Sequence, residues 1–133
     1  MNNKYGLLER LNKNKPVICA EGFLFEAERR GYMSSGEFVP KIALEYPEAL
    51  KNIHRDFQHA GSDVVVAFTY NGHREKMRVI NEEQLLEPLN RTALQIAKQI
   101  SQEVAFGEQN LIAGNISGTH IWDPNDENSK NEV

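Results

Sequence analysis

Three polar clusters, each following a short apolar run, carry the residue types that could do chemistry in this chain. Glu21-Gly22 follows Pro16-Val17-Ile18-Cys19-Ala20. A carboxylate beside a glycine can receive an ammonium group while the backbone approaches a ligand closely. The same pair also suits a solvated acid before a tight turn. The second cluster, Thr69-Tyr70-Asn71-Gly72-His73, closes the run that begins at Asp63. Its ring and amide can line a pocket, with Tyr70 facing a methylated cation through cation–π attraction. Alternatively Tyr70 packs, Asn71-Gly72 is a plain turn and His73 is exposed; for His73 exposure is the expectation. The third is Asn115 with Ser117, Thr119 and His120, around the run Leu111 to Ile116. An amide inside a buried strand needs a partner, since leaving it unpaired costs about 1–3 kcal/mol. That partner is either backbone or ligand. Trp122, close by, is expected to pack rather than to stack on a ligand.

Metal and phosphate chemistry have little support. One cysteine, Cys19, and four scattered histidines, His54, His59, His73 and His120, form no CxxC and no HExxH. His54 and His59 are five apart on one expected helix, whereas side chains meet at spacings of three or four. Two independent surface histidines are therefore expected. Gly22, Gly31 and Gly36 fit neither GxGxxG nor a P-loop.

The elements that must position these clusters follow from periodicity. The runs 16–20, 63–70 and 111–116 read as short strands buried on both faces, separated by helical stretches, which is the pattern of a parallel sheet. A short helix is expected over 5–12 and another over 23–30, the latter closed by Gly31. Pro47 and Glu48 open a clearer helix with Leu50, Ile53, Phe57 and Ala60 on one stripe, stopped by Gly61. Asn81 with Gln84 suggests a capping box, and Pro88 a break. Leu89, Ala93, Ile96, Ala97, Ile100 and Val104 then define a second amphipathic helix, stopped by Gly107. The order is β-α-β-α-β with right-handed crossovers expected. Three strands begin an α/β domain without completing one. The residues 123–133 are expected to approach a third helix.

The bulk properties narrow the field. The chain has 133 residues, a formal net charge of −4 and 40% hydrophobic residues. The acidic balance and the scattered cations argue against nucleic-acid binding. No apolar run approaches the roughly 20 residues that span a bilayer. The start, Met1-Asn2-Asn3-Lys4-Tyr5, has no apolar core, so no secretory signal is expected. A lone cysteine fits a reducing, cytoplasmic setting.

Gly6-Leu7-Leu8-Glu9-Arg10-Leu11-Asn12, Gly22-Phe23, Glu28-Arg29-Arg30-Gly31-Tyr32, Tyr46-Pro47-Glu48-Ala49-Leu50, His54-Arg55-Asp56-Phe57, Ala60-Gly61-Ser62-Asp63-Val64 and Phe68-Thr69-Tyr70 occur in this order. From about Tyr5 to Trp122 the chain resembles the homocysteine S-methyltransferase superfamily, in particular its betaine–homocysteine branch. The resemblance implies a (β/α)8 TIM barrel, of which 1–133 would be the N-terminal portion with the first three βα units and an incomplete parallel sheet. It implies methyl transfer from a methylated ammonium or sulfonium donor to the homocysteine thiol. It also implies a zinc ion that binds the thiol as thiolate, on cysteines of which this chain has none; Cys19 matches no ligand. The partners would be a small thiol acceptor and a methyl donor, with a homo-oligomer through the exposed sheet edges as a further expectation.

Residue by residue, the family's acid-glycine turn, usually Asp-Gly-Gly, reads Ala20-Glu21-Gly22 here, with the acid displaced by one position. The resemblance then implies Glu21 as the contact for the homocysteine ammonium, with Gly22 beside it in the substrate-binding set. Phe38 falls where betaine-using members carry tryptophan, and Tyr70 and Asn71 where they carry phenylalanine and tyrosine. Asn115, singled out above by its place in the third run, completes the candidate substrate-binding set. The loss of one aromatic at Asn71 disfavours betaine itself more than methylated donors in general. The alternative reading is a naturally short half-barrel that binds or assembles without catalysis.

Overall fold

The computed structural model describes residues 6–103 and 105–132. The N-terminal run Met1 to Tyr5 and Val104, the last position of the second apolar stripe, lie outside the described residues.

The three apolar runs align in parallel and in chain order, but they form less strand than their composition predicts. The first contributes one parallel bridge, Cys19 to Val64. Ala20 N–H donates to the Val64 carbonyl at 3.3 Å and Val64 N–H to the Ile18 carbonyl at 3.1 Å. The Asp63 carboxylate accepts from Ile18 N–H at 2.9 Å and so ties this edge to its neighbour. Strand β1, Val64–Val66, pairs with β2, Leu111–Ala113, in the register Val64 to Leu111, Val65 to Ile112 and Val66 to Ala113. Pairing stops beyond Ala67 because Thr69 N–H turns back onto the Ala67 carbonyl at 2.9 Å, closing a three-residue turn. The result is an α/β fold around a small open parallel sheet.

The third run is not the buried strand its sequence suggests. Leu111 and Ala113 lie half-buried on one face, while Ile112 is 44% exposed on the other and Ile116 is 90% exposed. Asn115 is accordingly exposed rather than enclosed.

Helices α1 (Leu7–Asn12) and α2 (Phe23–Arg29) precede β1, as do α3 (Ile42–Glu45) and α4 (Pro47–His59). Gly31 takes φ of +79° after α2. There Tyr32 N–H donates to the Ala27 carbonyl and Gly31 N–H to that of Glu28. Gly61, at φ +108°, ends α4 by the same pair of bonds, from Ser62 to Phe57 and from Gly61 to Gln58. Both are glycine-terminated Schellman ends. The four-residue α3, too short to show a period in sequence, buries Ile42 and Ala43.

Between β1 and β2 run α5 (Arg74–Val79), a 3₁₀ turn (Glu83–Leu85) and α6 (Leu86–Ser101). Pro88 does not break the helix. It is the third residue of α6, where backbone N–H groups have no helical partner, so the missing donor is harmless. Asn81 does not cap it either: at φ +55° it lies outside the extended range a capping residue needs. The acidic segment after β2 ends in α7 (Glu127–Glu132), with the Asp126 carboxylate accepting from Asn128 N–H.

One core joins these elements. Leu50 and Ile53 of α4 and Leu89, Ala93, Ile96, Ala97 and Ile100 of α6 are buried with Val65 of β1 and with Phe23, Ala27 and Ile42. Burial of such apolar surface, at about 25 cal/mol per Å², is the main favourable term holding these layers together. His54 overturns the expectation of a surface histidine. It is 1% exposed, with its ring edge-to-face on Phe23 at 4.8 Å. It lies four residues after Leu50 and three before Phe57, squarely on the stripe. Burial holds its pKa at about 4, below the usual 6.5, so it is neutral at pH 7. Gln58, also buried, donates to the Ile100 carbonyl at 2.9 Å and to that of Glu103, satisfying acceptors at the end of α6. Trp122, expected to pack, is exposed. Among the described residues no helix is long and apolar enough to cross a membrane.

Candidate functional site

The chain beyond β1 folds into a tight turn in which Gly72 N–H donates to the Thr69 carbonyl at 2.9 Å. Asn71 sits in this turn at φ +54°, a left-handed conformation that asparagine tolerates better than most residues. A side chain at Gly72 would place its Cβ 3.0 Å from the Thr69 carbonyl oxygen, so the turn would have to give by a few tenths of an ångström to take one. From the opposite side, Asn90 of α6 donates to the Gly72 carbonyl at 2.6 Å and to its own Leu86 carbonyl at 2.7 Å. The turn is thereby fixed to the helix that packs on β1.

Two more bonds fix it to the segment after β2. The Thr69 hydroxyl donates to the Asn115 carbonyl at 2.7 Å, and Asn71 N–H donates to the Ser117 hydroxyl oxygen at 3.0 Å. A third reaches the loop after α2, where Asn71 Nδ2 donates to the Phe38 carbonyl at 2.8 Å. Thr69 and Asn71 are both buried, which makes these bonds worth more than exposed ones and their loss more costly.

These ties build a cleft of about 460 Å³ at the C-terminal ends of the strands. Phe38, Tyr70 and Asn71 line it together, with Lys76, Ser117 and His120 among the others. Phe38 and Tyr70 are 39% and 40% exposed. The Lys76 ammonium lies 5.0 Å from the centre of the Phe38 ring. His73 is half-buried rather than exposed. Burial lowers its pKa; a hydrogen bond with the Gly118 backbone opposes this, and the Lys76 charge adds to it. Such a pocket, apolar rings with a few converging polar groups, suits a small ligand with a compact cationic head.

Of the six sequence-derived site residues, Phe38, Tyr70 and Asn71 thus come together at one cleft. Asn115 touches the site through its backbone carbonyl, while its side chain is exposed. Glu21 and Gly22 lie outside the cleft, at the start of α2: Glu21 is exposed, and Gly22, at φ +83°, precedes the helix. Sequence reasoning missed Asn90 altogether and gave Lys76 no role. Asn90 lies next to Leu89 on a strongly periodic helix, and no local signal marks its reach to Gly72. Among the described residues no group of three His, Cys, Asp or Glu side chains could hold a metal ion, and Cys19 is a free, exposed thiol. These residues do not fit a zinc site.

Comparison with known proteins bears on this arrangement. A family profile described as Homocysteine S-methyltransferase matches residues 13–132. Betaine–homocysteine S-methyltransferase 1 of Bos taurus is 38% identical over 122 residues, covering 89% of this chain and 29% of the relative. The Sus scrofa protein of the same name is 38% identical over 120 residues, covering 87% of this chain and 42% of the relative. That of Danio rerio is 38% identical over 117 residues, covering 88% and 29%. The chain therefore spans less than half the length of these relatives. The match takes in β1, β2, every helix from α2 to α6 and the residues lining the cleft, and on that extent the chain belongs to the homocysteine S-methyltransferase family.

Proposed function

We propose that this chain forms the methyl-donor side of a homocysteine S-methyltransferase. Residues 1–133 would be the N-terminal portion of one (β/α)8 barrel, contributing its first three βα units. The observation that carries the reading is the convergence of Phe38 with the Tyr70-Asn71 pair, 33 residues on at Asn71, on one strand-end cleft. Ligands of α/β sheets and barrels bind at this end of the strands.

The donor would be a methylated ammonium or sulfonium whose positive head rests against the Phe38 and Tyr70 rings. The homocysteine thiol gives up its proton to solvent, and methyl transfer then forms a bond from carbon to the thiolate sulfur as the bond to nitrogen or sulfonium sulfur breaks. The departing atom keeps the electron pair and becomes neutral. Glu21, beside Gly22, is the proposed contact for the homocysteine ammonium, and Asn115 the proposed polar neighbour of the substrate. Zinc dependence belongs to the proposal as a family trait, with the ion held by residues other than those described here.

The test is methionine formation from homocysteine by the protein that carries this chain. It should be run with N,N,N-trimethylglycine and with an S-methylsulfonium donor, with and without added zinc. Phe38→Ala should lower kcat/KM for the donor by about tenfold, the scale of a lost desolvated cation–π contact. No methionine from either donor under any of these conditions would end the proposal.

A further inference from the structure

The turn after β1 is the point from which the cleft is built, and one side chain refers that turn to the rigid interior. Thr69 and Asn71 bind the Asn115 and Phe38 carbonyls and the Ser117 hydroxyl. Those partners stand on loops, and they take their places from the turn as much as they give it one. Asn90 differs, because it stands on α6, flanked by Leu89 and Ala93, which are wholly buried. Its Nδ2 donates one hydrogen to the Gly72 carbonyl at 2.6 Å and the other to the Leu86 carbonyl at 2.7 Å. The second bond fixes the rotation of the amide and so aims the first. A Cβ at Gly72 would lie 3.5 Å from both the nitrogen and the oxygen of this amide, so the amide lies alongside the glycine.

Asn90 is not among the residues that line the cleft. Its hold on Gly72 nevertheless falls one residue from Asn71 and two from Tyr70. Groups referred to a helix are placed more precisely than groups referred to loops. A misplacement of about 1 Å at a reacting site can lower a rate by about 10²-fold.

We propose that Asn90 is the positioning residue of the strand-end cleft for methyl transfer, setting Tyr70 and Asn71 against Phe38 by holding Gly72 to α6. The inference rests on the reading of the cleft as the methyl-donor side of the enzyme.

The test uses two variants of the protein that carries this chain. Asn90→Leu keeps the bulk and removes both donors at every pH. Asn90→Asp removes both near neutral pH, where a carboxylate only accepts, and regains one donor when it is protonated. Facing two carbonyl oxygens, that carboxyl should protonate above the usual aspartate value of about 3.9. The titratable neighbours are Glu87 and Arg91 on α6 and His73 beside Gly72, and all three are shared with the unaltered protein. At about pH 7.5 both variants should lose at least about tenfold in kcat/KM for methionine formation. Backbone amide exchange should rise in residues 67–73 and stay unchanged in α4. At about pH 5, measured against the unaltered protein at the same pH, Asn90→Asp should recover most of its loss and Asn90→Leu none. If Asn90→Asp shows the same relative loss at both pH values, the positioning role is wrong and the donor reading stands. Exchange that rises throughout α4 and α6 would make Asn90 a support of the fold and overturn the proposal in the same way. If the unaltered protein forms no methionine, the donor reading falls and takes this inference with it.

Discussion

The interior between α4, α6 and β1 and the cleft at the strand ends hold their shapes by different means. In the interior, Leu50, Ile53, Leu89 and Ile100 are wholly enclosed, and even its polar members, His54 and Gln58, are cut off from water. At the cleft, Phe38 and Tyr70 are each partly exposed to solvent. Their positions come from hydrogen bonds that tie two loops and α6 to one turn, through Thr69, Asn71 and Asn90. Stability and the proposed recognition are thus carried by separate residues. Phe38 and Tyr70 can change with little cost to folding, whereas the interior tolerates little change.

Leu50→Ala presses hardest on this division. Emptying a fully buried leucine site should cost about 2–5 kcal/mol, read as a lower denaturant midpoint. A loss below about 1 kcal/mol would mean that the interior is not the stabilising region. Acid is the next test, through His54. Folding depresses its pKa from 6.5 to about 4, so as pH falls the unfolded chain takes up the proton first. Its contribution is therefore complete above about pH 7 and is lost between pH 6.5 and pH 4, up to about 3 kcal/mol. Unfolding midpoints at pH 7, 5.5 and 4 should show this slope, and His54→Leu should flatten it. An equal slope in the variant would show that the imidazole is not its source.

Thr69→Val removes the hydroxyl that joins the turn to the Asn115 carbonyl and should cost about 1 kcal/mol. Faster amide exchange should be confined to the turn and the segment after β2. Exchange rising throughout α4 and α6 instead would blur the boundary between the two regions. The smallest effect on stability is expected from Tyr70→Ala, within about 0.5 kcal/mol of the unaltered chain. Its tetramethylammonium affinity should nevertheless drop several-fold, as expected on losing a cation–π face. A Tyr70 variant that unfolds easily would place that ring in the interior after all.

The parts of this molecule that were legible in its sequence are those governed by local periodicity. The stripe through Leu89, Ala93, Ile96 and Ile100 marks α6, and Pro47 and Gly61 bracket α4. Parallel order also came through, because short apolar runs separated by helical stretches have few other arrangements. Strand length did not, since pairing at Ala67 ends through a backbone turn that apolar composition cannot reveal. His54 was misjudged by residue type although its spacing from Leu50 and Phe57 put it on the buried stripe. At the cleft, Tyr70 and Asn71 were readable as a polar end to an apolar run. Phe38 entered only through family resemblance, for nothing nearby in sequence links it to Asn71. Asn90 and Lys76 depend on distances between helices and loops, a property no short window of residues contains.

The turn that fixes the cleft also bears on how the protein ages. An Asn-Gly step such as Asn71-Gly72 is prone to deamidation, in which the glycine's backbone nitrogen attacks the asparagine amide carbon; asparagine is among the thermolabile residues. Here that nitrogen is engaged with the Thr69 carbonyl, and the amide is held by the Phe38 carbonyl. The folded chain thus keeps its most vulnerable bond out of reach of its own backbone. Each excursion that opens the turn restarts the chemical clock, and the first lasting damage would fall on the residue that holds the cleft together.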